Sequence, residues 1–135
     1  MEGQNKNENK NKKILLIEDD ENIRKMYQMK LEMEGCRVVA VGDGQKILKL
    51  IKKENPNLIL LDILLPQKDG FEILKEIRQS KNEKIKNIPV IIASNLSHPD
   101  DRQEAKNLNV FDYLVKAEVT PQEMADKVNE ALGKF

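Results

Sequence analysis

The most constraining feature of this 135-residue chain is the run Leu58-Ile59-Leu60-Leu61, which ends on the carboxylate of Asp62. Ile63-Leu64-Leu65 follows, and then Pro66 and Asp69-Gly70 break the run. Four successive apolar residues with turn residues behind them read as a strand buried on both faces, the pattern of a parallel sheet under helices on either side. A carboxylate at the end of such a strand is costly to bury without compensation. The rest of the sequence is read as supplying it.

Short apolar runs and helical periods alternate along the chain. Lys13–Ile17 is a first strand, ending in Glu18-Asp19-Asp20. Residues 21–34 follow a helical period, with Ile23, Met26, Tyr27 and Leu31 as the stripe and Met29 and Met33 on its flanks as core filler. Gly35 stops this helix. Arg37–Val41 is a second strand, and Asp43–Glu54 a second helix with Ile47, Leu48 and Ile51 inward. The third strand ends at Asp62, and Phe71, Leu74 and Ile77 mark a third helix. Residues 79–88 are mostly polar and read as a loop, and Pro89–Ala93 as a fourth strand followed by Ser94. Residues 99–108 form a weakly amphipathic fourth helix anchored by Ala105 and Leu108. Asp112–Val115 is a fifth strand followed by Lys116. Thr120-Pro121-Gln122-Glu123 is a capping box with proline in the first turn. It opens a last helix whose inner face is Met124, Val128, Ala131 and Leu132.

Five strands alternating with five helices predict an α/β fold: a five-stranded parallel sheet, doubly wound, in the order 2-1-3-4-5. Residues 1–12 are rich in Asn, Lys and Glu and lack apolar residues after Met1, so they read as a disordered polar tail before a domain spanning 13–135. Lysine plus arginine and aspartate plus glutamate total 23 each, with 20 against 21 from residue 13 on. That balance gives no electrostatic basis for direct nucleic-acid or membrane binding. No apolar run is long enough to span a bilayer, no secretion signal is visible, and Cys36 is the only cysteine, so a cytoplasmic location is expected. Cys36 reads as a small residue near a strand start and His98 as a solvated one at a helix start.

In open parallel sheets, sites form outside the carboxyl ends of the strands where the order reverses. Here four strands deliver polar residues to that edge: Glu18 and Asp19, Asp62, Ser94, and Lys116. Taken singly each has a plain explanation; Asp20, for example, can cap the first helix. Together they form a pattern. Three carboxylates in one cleft repel unless a cation intervenes, and oxygen ligands suit Mg2+, Mn2+ or Ca2+ rather than zinc. A metal, a hydroxyl and an ammonium can each take one oxygen of a phosphoryl group, with Asp62 as nucleophile.

These residues resemble the receiver domain of two-component response regulators. The likeness covers residues 13–133 and rests on ILLIED at 14–19, DILLPQKDG at 62–70, Ser94 after an apolar strand, and FDYLVK at 111–116. The resemblance implies that Asp62 is the phosphoacceptor. It implies that Asp19, Asp62 and the backbone carbonyl of Leu64 bind the metal, with Glu18 acting through water. Ser94 matches the hydroxyl switch residue, Tyr113 the switch aromatic and Lys116 the signature lysine. It also implies a histidine kinase or phosphotransfer protein as phosphodonor, and a downstream protein target reached through a conformational change. A phosphorylation-dependent homodimer is compatible with it. The expected protein is a stand-alone signalling domain rather than an enzyme.

Two departures stand out. The family usually has proline after the lysine, joined by a cis bond. This chain has Ala117, so a trans bond is expected, because a cis non-proline bond costs about 2.5–4 kcal/mol. Asn95 stands where a small residue is more usual, which is expected to narrow donor access. Leu64 and Leu96, two places beyond Asp62 and Ser94, are expected to exclude the water that hydrolyses the phosphoryl group. The alternative function is a receiver-like docking module that is never phosphorylated. A metal-dependent hydrolase is disfavoured by Leu64 where a general acid would stand, and a flavin carrier by the acids after the first strand.

Overall fold

The computed structural model describes residues 11–133. Residues 1–10, on which most of the tail expectation falls, lie outside the described residues. The strands are β1 (Lys13–Ile17), β2 (Arg37–Val41), β3 (Leu58–Leu61), β4 (Val90–Ser94) and β5 (Asp112–Val115). The helices are α1 (Glu21–Met33), α2 (Ile47–Glu54), α3 (Gly70–Arg78), the single turn α4 (Glu83–Lys86), α5 (Pro99–Asn107) and α6 (Pro121–Ala131). The strands pair in parallel in the order β2-β1-β3-β4-β5, as the alternation predicts.

Strand side chains alternate between faces, so each strand feeds two cores. Leu15, Ile17, Ile59, Leu61, Val90 and Ile92 face one layer, packed with Ile47, Ile51, Phe71, Leu74 and Ile77 from α2 and α3. Ile14, Leu16, Leu58, Leu60, Ile91 and Ala93 face the other, against Tyr27 and Leu31 of α1 and Met124, Ala125 and Val128 of α6. Both faces are covered, which is why LILL needs no polar alternation.

Several boundaries and faces differ from the sequence reading. Helix α2 begins at Ile47, not Asp43, because Asp43 Oδ1 accepts from Gln45 N at 3.0 Å and Lys46 is left-handed, with φ 55°. The inward row is therefore Ile47, Leu50 and Ile51, and Leu48 is exposed. In α1 only Tyr27 and Leu31 are fully buried. Met29 and Met33 are 63% and 64% exposed and Met26 also faces outward, so the methionines do not fill the core. Tyr27 and Leu31 suffice to meet the sheet, and the methionines lie around the helix from them. The segment 79–88 is not all loop: Asn82 Oδ1 caps α4, which buries Ile85. The expected α6 capping box is present, with Glu123 N donating to Thr120 Oγ1 and Thr120 N to Glu123 Oε1.

Candidate phosphoacceptor site

The carboxyl ends of β1, β3, β4 and β5 meet at one rim. Ile17 pairs with Leu61, Leu61 with Ile92, and Ser94 with Val115, so Glu18, Asp62, Ser94 and Lys116 follow at neighbouring strand ends. The main chain continues the ladder past the strands: Glu18 N donates to Val41 O and Asp62 N to Ile17 O, both at 3.0 Å.

Lys116 sets the geometry. Its Nζ lies 2.6 Å from Glu18 Oε1 and 2.8 Å from Asp62 Oδ2. Glu18 is 2% and Asp62 4% exposed, so two buried carboxylates share one ammonium, which offsets only one of their charges. Asp62 Oδ1 accepts from Leu64 N at 3.1 Å, and Glu18 Oε2 from Asp20 N at 3.1 Å. Burial pushes the Glu18 carboxyl above its ordinary range; Lys116 works against that rise and the Asp62 charge adds to it. Burial alone would lower the Lys116 ammonium, but its hydrogen bonds to Asp62 and Glu18 outweigh this and raise it.

Asp19 completes the acidic group. One carboxylate oxygen each from Glu18, Asp19 and Asp62 lies within 4.8 Å of the others. Two of these residues are buried and Asp19 faces solvent, leaving an open side through which a hydrated cation can approach. The hard-oxygen donor set fits a divalent ion of the Mg2+ or Mn2+ type. Asp20 is drawn elsewhere: its Oδ1 caps α1 by accepting from Ile23 N at 3.0 Å.

Ser94 is fully buried, and its Oγ accepts from Leu96 N at 3.2 Å. Tyr113, buried at the same end, donates from its hydroxyl to Leu96 O at 2.7 Å, and Arg102 lies 5.3 Å from its ring centroid. The stretch 94–96 is thus tied to β5 by an aromatic side chain. Leu64 is 53% exposed and Leu96 packs against the core. His98 is a surface residue, and its Nδ1 accepts from Asp100 N at 3.1 Å to cap α5. The Lys116–Ala117 bond is trans and opens a 3-10 turn, Lys116–Glu118.

Two supports escaped the sequence reading. Arg24 donates from Nη1 to Glu18 O at 2.8 Å and Asp19 O at 3.3 Å, clamping the loop that carries both acids. Its position one helical turn past the acids was the available signal. At Gly70 a Cβ would stand 2.4 Å from Asp62 O and 2.6 Å from Ile63 Cα. The start of α3 therefore lies directly against the backbone of Asp62 and Ile63, with Gly70 N donating to Ile63 O at 2.9 Å.

The sequence model of the response regulator receiver domain matches residues 14–129. The chain belongs to this family. Receiver domains are the signalling domains of two-component systems, and this one carries the acidic pocket compatible with Mg2+. The alkaline phosphatase synthesis transcriptional regulatory protein PhoP of Bacillus subtilis (strain 168) is 34% identical over 124 residues, which is 92% of this chain but 50% of that protein. The chain spans about half the length of the curated relatives it matches. Among solved structures, the Mn2+-bound form of the response regulator Rcp1 is 32% identical, with a TM-score of 0.73 over 88% of this chain and 90% of that one. The Vibrio cholerae chemotaxis protein CheY4 is 26% identical, with a TM-score of 0.80 over 90% of this receiver and 98% of that chain. No helix among the described residues of the receiver is long and apolar enough to cross a membrane.

Proposed function

We propose that this receiver accepts a phosphoryl group on Asp62 from a phosphohistidine of a histidine kinase or phosphotransfer protein. The observation that carries the reading is the Lys116 ammonium held at 2.8 Å from Asp62 and 2.6 Å from Glu18, with Asp19 in the same cluster. An Asp62 oxygen attacks phosphorus, the P–N bond breaks, and the released imidazole takes a proton. Asp19, Asp62 and the Leu64 carbonyl would hold Mg2+ or Mn2+, with Glu18 acting through water. When bound, the metal supplies charge neutralisation for the phosphoryl oxygens. Lys116 already faces Asp62, so it can follow the charge from carboxylate to phosphoryl oxygen. As Ser94 shifts to donate its hydroxyl proton to a phosphoryl oxygen, it strains the bond it accepts from Leu96 N. That movement pulls on the segment that Tyr113 holds, which gives the switch its route to α5 and β5.

Helix α5 has one buried residue, Ala105, and its light anchoring suits a mobile output face for a downstream protein target or a second phosphorylated copy. Output is read as passing through protein contacts in the cytoplasm rather than through nucleic acid held by this domain. The test is intact mass after incubation with a small phosphodonor and Mg2+. Wild type is expected to gain one phosphoryl group and Asp62→Asn none. A wild type that stays unlabelled with donor and metal in excess would leave a docking module, the alternative function.

A further inference from the structure

The two departures from the family pattern, Asn95 and Ala117, meet in space. Asn95 Oδ1 accepts a hydrogen bond from Ala117 N at 2.9 Å, across 22 residues of sequence. The β4–β5 pairing reaches Ser94 opposite Val115. The Asn95–Ala117 bond lies just past that pair and extends the connection between the two strands through a side chain. It requires an N–H at residue 117, which a proline would not have. It also draws the Asn95 amide toward Ala117, the residue that follows Lys116.

We infer that Asn95 is a positioning residue for phosphoryl transfer, resting on the phosphoacceptor reading of Asp62. Ser94 and Lys116 supply the two donors for the phosphoryl oxygens, and they sit where β4 and β5 pass into separate loops. Each is the immediate neighbour of one end of this bond, Ser94 of Asn95 and Lys116 of Ala117. The bond fixes the spacing of the loops, so hydroxyl and ammonium stay within reach of the same phosphoryl group. Tyr113 anchors the far side of the same loop through Leu96 O, leaving Asn95 to hold the side next to Lys116. Without the bond, the loops separate in a fraction of molecules, and fewer are ready when a donor arrives.

The test is a double-mutant cycle on the rate of Asp62 labelling, using Asn95→Ala, Ala117→Pro and the pair, with acetyl phosphate and Mg2+. Losing one exposed hydrogen bond is expected to slow labelling about two- to tenfold. Asn95→Ala should slow labelling when introduced into the wild type and have no further effect when introduced into Ala117→Pro. Half-saturating Mg2+ should not change, because no metal-site carboxylate is touched. Exchange of the Ala117 amide should quicken in Asn95→Ala while the β-strand amides keep their protection, a readout that does not depend on labelling. An equal slowing in both backgrounds, or faster labelling in Asn95→Ala, would overturn the assignment in favour of a steric gate. Wild type labelled at Asp62 with Asn95→Ala unchanged would overturn this role alone. Failure of wild type to label would overturn the phosphoacceptor reading and this role with it.

Discussion

Replacing Lys116 with methionine keeps most of the unbranched stem of the side chain and removes its charge. In metal-free solution Glu18 and Asp62 are then left together, both almost fully buried, without their shared counterion. Breaking a buried ion pair by deleting one partner costs about 3–5 kcal/mol. For a domain of 135 residues, between the size classes for which the scaling is known, this corresponds to a fall in Tm of about 10–25 °C. The pH dependence carries the sharper prediction. Glu18 already sits above its ordinary 4.5 because it is buried, and losing the Lys116 hydrogen bond raises it further. A carboxyl raised in the folded state favours folding below its unfolded pKa, and that contribution is lost as pH climbs through the folded value. Lys116 in the wild type is raised above 10.5, so its contribution is complete below that pH and is lost above it. The gap between wild type and Lys116→Met should therefore be small in acid, widen from about pH 4.5 upward as Glu18 is forced to ionise, and close above about pH 10.5. Thermal unfolding followed by circular dichroism in EDTA measures it. Added Mg2+ should recover more stability in the variant than in the wild type, since the cation meets no competing ammonium. A Tm difference that is absent at neutral pH, or constant from acid to neutral pH, would refute the reasoning.

Gly70→Ala should destabilise the domain by about 1–3 kcal/mol in urea unfolding, because its Cβ meets backbone that can yield only by shifting Asp62 and Ile63. The same variant should label more slowly at Asp62. Arg78 donates to the carbonyls of Leu108, Lys86, Ile88 and Asn109, tying α3 to the segments before β4 and β5. Arg78→Ala should cost about 2–4 kcal/mol in the same assay, since two partly buried and two exposed carbonyls lose a charged donor. Thr120→Ala removes one half of the α6 capping box and should cost about 1 kcal/mol without changing the rate of labelling.

Much of this protein was written in short-range pattern. The unbroken LILL run required cover on both faces, and alternation with helical periods required crossovers. Together these leave few sheet orders, of which 2-1-3-4-5 is the one found. Strand-end chemistry was legible for the same reason: once strands run parallel, the residues that follow them share an edge. Glu18, Asp19, Asp62, Ser94 and Lys116 needed nothing more than that edge to come to one rim.

Only tertiary structure decided which of these groups pair and what holds them. That one lysine bridges Glu18 and Asp62 depends on side-chain reach across three strands. That Arg24 clamps the acidic loop and Gly70 lies against Asp62 depends on how α1 and α3 dock beside the strand ends. The exposed methionines of α1 and the displaced start of α2 follow from how each helix meets the sheet, because hydrophobic period alone fixes a face only to within a residue or so. Asn95 and Ala117 each look like an isolated departure along the chain. Folding sets them 2.9 Å apart, because a hydrogen bond is a matter of distance in space and not of distance in sequence.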